Sequence, residues 1–142
     1  MKQRPLKAAV LISGTGSNLK ALIDAVAMRG LNLDIVRVIS NRADAPGLSH
    51  ATAAAIPVSV ISHTDYPNRQ AHDDAVVSVL QENQAQLIIL AGYMRILSAG
   101  FTLRCSGRMI NLHPALLPLY KGLDTYNRVL LSGDSETGAS IH

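Results

Sequence analysis

Two strand-like runs, Lys7-Ala8-Ala9-Val10-Leu11-Ile12, apolar after its first residue, and Leu87-Ile88-Ile89-Leu90-Ala91, constrain the fold of this 142-residue sequence more than any other feature. A strand wetted on one face alternates apolar and polar residues, whereas a strand without polar residues must be covered on both faces. Such strands belong to parallel sheets, whose crossover connections lay helices over the two sides. The intervening sequence supplies them. Ser17 to Met28 sets Leu19, Leu22, Ile23 and Val26 on one helical face and closes at Gly30. Asn68 to Asn83 places Ala71, Ala75, Val76, Val79 and Leu80 at helical spacing. Leu33 to Ser40 and Val58 to Ile61 read as further strands. Asp44-Ala45-Pro46-Gly47 turns into an Ala-rich helix reaching about Ala55, and Ala99 to Cys105 forms a short helix before a strand ending in Asn111. Tyr126 to Ser132 reads as a further helical piece, and Glu136 to His142 as a strand under way.

This alternation predicts an α/β fold, a Rossmann-like three-layer sandwich with a mostly parallel sheet and helices on both faces. The length suits a single domain over 1–142. Its carboxyl end reads as incomplete, because an unfinished strand leaves ladder groups uncovered. Hydrophobic content of 48% against 16% charged residues excludes a disordered chain. The net charge of +3 is scattered without a basic run, so an anionic small molecule is a better partner than nucleic acid. Cys105 stands alone, which excludes an internal disulfide and fits a reducing compartment; it reads as a structural thiol, without an activating partner. Leu6 to Ile12 is too short for a signal sequence or a membrane span, and the expected location is cytoplasmic.

Two segments carry chemistry. Ser13-Gly14-Thr15-Gly16-Ser17-Asn18 links the first strand to the first helix, where glycines allow close backbone approach and the helix start presents free N–H groups to an anion. Ser17 and Asn18 can add donors or cap the helix. A dinucleotide fingerprint would need a glycine where Leu19 stands and an acid after the second strand; a Walker loop would need Gly-Lys-Ser/Thr. A terminal monophosphate remains, beside the plainer reading of a tight turn. The second segment is Asn111-Leu112-His113-Pro114, followed by Leu116-Leu117-Pro118. Positions 111 and 113 fall on one strand face, offering an amide donor for an oxyanion and an imidazole for proton movement. A lone histidine at a strand end is also a common structural residue. Both segments lie at strand carboxyl ends, where ligands bind in open parallel sheets.

Together with Ser40-Asn41-Arg42-Ala43-Asp44-Ala45, Leu90 to Ser98 and Gly122-Leu123-Asp124-Thr125, these blocks resemble the folate-dependent glycinamide ribonucleotide formyltransferases of purine biosynthesis across essentially the whole chain. The resemblance implies that Gly16, Ser17 and Asn18 hold the ribonucleotide phosphate. It implies that Met94, Arg95, Ile96 and Leu97, with Arg69, bind the folate. Asn111 and His113 would be catalytic, and His142 matches a further active-site histidine. The implied reaction moves a formyl group from the co-substrate 10-formyltetrahydrofolate to the glycinamide amine, without metal. The five histidines show no ligand spacing with Cys or acids.

The implied partners are small molecules only, with neither nucleic acid nor membrane, in a monomer or homodimer. Thr15 departs from an asparagine common in close relatives. The family continues past His142 into an Asp-Gly-Gly-like loop whose aspartate orients the histidine, so a chain ending here is expected to be impaired. Other readings are a different folate formyltransferase, acting on methionyl-tRNA or a sugar nucleotide, a formyltetrahydrofolate hydrolase, or a non-catalytic nucleotide-binding remnant. Without the resemblance, Met94 and Ile96 would read as plain core, Arg69 and Arg95 as solvated, and Asn41 and Asp44 as turn residues.

Overall fold

The computed structural model describes residues 3–113 and 140–141, and the chain divides into two compact units, Met1–Met109 and Ile110–His142. In the first unit, strands β1 (Leu6–Ile12), β2 (Leu33–Ser40), β3 (Val58–Val60) and β4 (Leu87–Leu90) form a parallel sheet in the order β3-β2-β1-β4. Helices α1 (Ser17–Arg29), α2 (Leu48–Ala53), α3 (Arg69–Glu82) and α4 (Ala99–Arg104) alternate with them. Strand β5 (Met109–His113), which belongs to the second unit from Ile110 onward, pairs antiparallel with β6 (Ser140–Ile141), His113 opposite Ser140. The expected helical piece at Tyr126 to Ser132, Pro114 to Pro118, Asp124 and His142 lie outside the described residues.

The apolar run of β1 does what such a run requires. Ala8 to Ile12 are all fully buried, and successive side chains enter opposite cores. Ala8, Val10 and Ile12 pack with Leu19, Leu22, Ile23 and Val26 of α1 and with Ala51 of α2. Ala9 and Leu11 pack with Val76, Val77 and Leu80 of α3 and Phe101 of α4. Burying one such Val, Leu or Ile contributes about 1.5–3 kcal/mol, so β1 draws stability from both layers. The expected mostly parallel sandwich with helices on both faces is the observed one.

Register and helix faces add detail that periodicity misses. Between Ala8 and Ala9 the β2 partner jumps from Ile35 to Arg37. The extra residue, Val36, lets both Ile35 and Val38 enter the α1 core. Arg37 instead donates to Asn83 Oδ1, at the end of α3, from Nε and Nη2 at 3.3 and 3.2 Å. Helix α3 buries His72, Asp73, Val76, Val77 and Leu80, while Ala71, Ala75 and Val79 sit at its margin. The expected face is therefore rotated, because bulky Val77 outweighs small alanines and His72 and Asp73 find partners inside. Helix α2 ends at Ala53, short of the expected Ala55, which adopts a positive φ of 57°.

The first two helices start against each other. Gly16 precedes α1 at φ +70°, and a Cβ there would lie 2.7 Å from Gly47 Cα. Gly47 precedes α2 at an ordinary φ of −60°, yet a Cβ on it would lie 2.8 Å from Ile12 Cδ1 and 2.9 Å from Gly16 Cα. Its N–H donates to Gly14 O at 2.9 Å. Gly47→Ala is therefore a purely steric insertion, expected to lower unfolding free energy by about 1–3 kcal/mol in a urea titration. An unchanged midpoint would show that the two backbones separate freely.

Candidate functional site

The chain steps outward from β1 to β2 to β3, then crosses to β4 on the other side of β1. Loops leaving two neighbouring strands at such a reversal part in opposite directions and open a crevice at their carboxyl ends. Here those loops are Ser13 to Gly16, after β1, and Ala91 to Ser98, after β4.

One buried hydroxyl joins them. Ser13 Oγ donates to Asn41 Oδ1 at 2.5 Å and accepts the Met94 N–H at 2.7 Å, connecting the ends of β1, β2 and β4. Ser13 and Asn41 are each only 3% exposed, so these groups have no alternative in water. After β2 the chain is held by Ser40 Oγ, which donates to Arg42 O at 2.8 Å and accepts the Arg42 N–H at 3.0 Å. The Arg42 guanidinium, hydrogen-bonded to Asp44, keeps that exposed carboxyl below its usual range. Neither Ser13 nor Asn41 was singled out from sequence as a site residue. Their signal was polarity at the carboxyl ends of adjacent buried strands.

The glycine loop supplies an open helix start. Gly16 occupies the α1 N-cap, and among the described residues no side-chain cap bond is made to the first turn. The expectation that Ser17 or Asn18 caps the helix is corrected: both are exposed residues of the first turn, and a left-handed glycine takes the cap instead. A helix start that no side chain caps among the described residues, beside exposed Ser17 and Asn18, has the chemistry to receive an anion.

Beyond Met94 the second loop turns apolar side chains outward. Met94 is 58% exposed and Ile96 74%, which overturns the plain-core reading of both. Between them Arg95 is half-buried, and Leu97 and Tyr93 pack on the α3 core. Burial pushes the Tyr93 phenol well above its usual range, and the negative charge of Asp73 adds to this. The segment ends at Ser98, whose N–H donates to Asp73 Oδ2 at 2.7 Å. Asp73 was also missed from sequence, although an acid three, four and seven residues before Val76, Val77 and Leu80 lies on the apolar stripe of its helix. Arg69 is exposed in the first turn of α3.

Asn111 and His113 lie on β5 in the second unit, Asn111 half-buried. Among the described residues no three His, Cys, Asp or Glu side chains gather as a metal-holding group, and no helix is long and apolar enough to cross a membrane. Cys105 is buried at the end of α4, and burial pushes its thiol up, against the opposing charges of Arg108 and Arg104.

Residues 6–142 match the family described as formyl transferase. Phosphoribosylglycinamide formyltransferase of Haemophilus influenzae is 47% identical over 136 residues, covering 96% of this chain and 64% of that protein. The trifunctional purine biosynthetic protein adenosine-3 of Drosophila melanogaster is 46% identical over 144 aligned residues, covering all of this chain and 11% of its own length. Among solved structures, a phosphoribosylglycinamide formyltransferase from Coxiella burnetii superimposes with a TM-score of 0.93 at 47% identity, over 97% of this chain and 65% of that one. Glycinamide ribonucleotide transformylase 1 from Symbiobacterium toebii gives 0.94 at 35% identity, over 99% and 66%. The chain thus spans about two thirds of these single-function relatives.

Two measurements check this geometry. Ser13→Ala removes the buried hydroxyl that accepts the Met94 N–H, and is expected to cost about 1–3 kcal/mol in denaturant unfolding and to speed Met94 amide exchange. Unaltered exchange would mean that the loops do not depend on the hydroxyl. For Cys105, the folded thiol keeps its proton to higher pH than the unfolded one. Its contribution to stability is complete below the ordinary thiol range and is lost as pH rises through the folded value. A thiol reagent at pH 8 should therefore react far more slowly with the native protein than with the urea-unfolded chain; equal rates would contradict this burial.

Proposed function

The chain belongs to the formyl transferase family, and on that premise we propose that it transfers a formyl group from 10-formyltetrahydrofolate to the amine of glycinamide ribonucleotide, in purine biosynthesis. The observation that carries the reading is the Ser13 bridge, which sets an uncapped helix start beside an exposed apolar segment at the sheet's reversal point. Under this reading the N–H groups around Gly16, Ser17 and Asn18 bind the ribonucleotide's phosphate. Met94, Arg95, Ile96 and Leu97 bind the folate ring, with apolar surface from Met94 and Ile96 and backbone groups for its polar edge, and Arg69 assists. The names and high identity of the relatives support this substrate pair over other formyl acceptors.

The reaction forms a bond between the amine nitrogen and the formyl carbon, and the formyl oxygen takes up negative charge. Asn111 is assigned the hydrogen bond to that oxygen and His113 the proton transfer as the folate nitrogen leaves, their two-residue spacing on β5 suiting joint action. His142 is a further candidate at this centre. The partners are the two small molecules, in the cytoplasm; the scattered positive charge supports neither a nucleic-acid track nor a membrane surface.

Formyl transfer followed with the protein as encoded tests the assignment. Asn111→Ala is expected to lower kcat by about 10²–10³ through loss of an oxyanion donor. His113→Ala is expected to lower it by about 10²–10⁴, with the circular dichroism of both variants unchanged. Wild-type rates in either folded variant would remove that residue from the mechanism, and no turnover by the unsubstituted protein would overturn the reading.

A further inference from the structure

The exposed segment Met94 to Leu97 is suspended between two buried acceptors from distant parts of the sequence. At its start the Met94 N–H meets Ser13 Oγ at 2.7 Å, and immediately after its end the Ser98 N–H meets Asp73 Oδ2 at 2.7 Å. Asp73 is 1% exposed on the inward face of α3, among Val76, Val77 and Leu80. A carboxylate in such surroundings is costly unless it serves as an acceptor. Its nearest charged or titratable neighbour on α3 is His72, whose Nδ1 lies 3.6 Å from Asp73 Oδ1, too far for a hydrogen bond. The His72 Nε2 proton instead goes to Ile61 O at 2.7 Å. Ser98 is in turn the N-cap of α4, its Oγ accepting the Phe101 N–H at 3.2 Å, and Phe101 is fully buried. Asp73 therefore fixes the point at which the segment stops and α4 begins.

We propose that Asp73 is a positioning residue for the folate site: acting through the Ser98 N–H, it holds Met94 to Leu97 at the span and height at which Met94 and Ile96 meet the folate ring. This rests on the formyl-transfer reading above. The exposed neighbour Asp74 provides a natural contrast. It joins the same two helices through Arg104 and accepts from Gln70 Nε2 at 2.8 Å, yet both members of its ion pair face water. An exposed pair of this kind contributes little to rigidity.

The test measures KM for 10-formyltetrahydrofolate and for glycinamide ribonucleotide separately, in the protein as encoded. Asp73→Ala is expected to raise the folate KM by about tenfold or more, leaving the ribonucleotide KM within about twofold, since it removes the acceptor of one N–H at one end of one segment. Asp73→Asn keeps an acceptor oxygen of lower strength and is expected to raise the folate KM by about threefold. Asp74→Asn is expected to leave both values unchanged. A folded Asp73→Asn protein with unaltered folate KM overturns the proposal even where Asp73→Ala fails to fold, as does a parallel rise in both KM values. If the unsubstituted protein neither binds nor turns over the folate, the parent reading fails and this inference with it. A folate-using protein whose Asp73 variants behave as wild type overturns this inference alone.

Discussion

A hydroxyl without access to water must satisfy its donor and its acceptor inside the protein, and Ser13 does so across chain separations of 28 and 81 residues. Three strands end at one edge of the first unit's sheet, and nothing in parallel pairing alone fixes how the chain leaves them. The Ser13 contacts with Asn41 and Met94 set the three exits against one another. The glycine loop is then clamped from a second side, because the Gly47 N–H holds Gly14 O and the Gly16 and Gly47 backbones touch. A loop held in this way keeps its helix start open without needing a ligand to shape it, and such pre-organisation lowers the ordering cost of binding.

Much of this was legible in the sequence, and what escaped has a common cause. The uninterrupted apolar runs of β1 and β4 fix burial on two faces, and from that follow parallel strands and helices above and below. Gly16 marks the first loop by type, because its left-handed φ of 70° and the Gly47 backbone against it leave no place for a side chain. Asn41 reads from sequence as an ordinary turn residue, and nothing local announces that a serine 28 positions earlier shares its side chain. The same holds for Asp73, whose partner Ser98 is 25 residues away. Polar pairs across the sheet depend on strand order, and strand order is a tertiary property. The rotated face of α3 has a related origin: periodicity counts alanines as apolar but cannot weigh them against Val77, nor anticipate that a carboxylate on the stripe will be satisfied within the core.

The exposure of Met94 and Ile96 has to be read against this polar scaffold. Two large apolar side chains facing water are an energetic cost that a mobile loop would reduce by folding them inward. The tether at each end of the segment prevents that collapse, while Leu97 and Tyr93 pack on the α3 core. Alternation along four residues thus serves two purposes, with one set of side chains holding the segment down and the other left out.

Leu19 decides what kind of anion such a loop can serve. In dinucleotide sites a third glycine near this position lets the helix approach the strand closely. Here Leu19 is fully buried in the core shared with β1 and β2, so a packing side chain occupies the place that a third glycine would leave empty. Asp34 lies exposed at the beginning of β2, at the edge opposite the crevice, and cannot reach a ribose bound at the carboxyl ends. The loop therefore offers donors for one phosphate and nothing readable for a second nucleotide half. What adjoins it across the reversal point is the Met94 to Leu97 segment, tied to the same serine. Under the formyl-transfer reading proposed above, the helix start on one side of the reversal point and the exposed Met94 and Ile96 on the other would each receive a different ligand, and the Ser13 hydroxyl is the group that ties the two sides together.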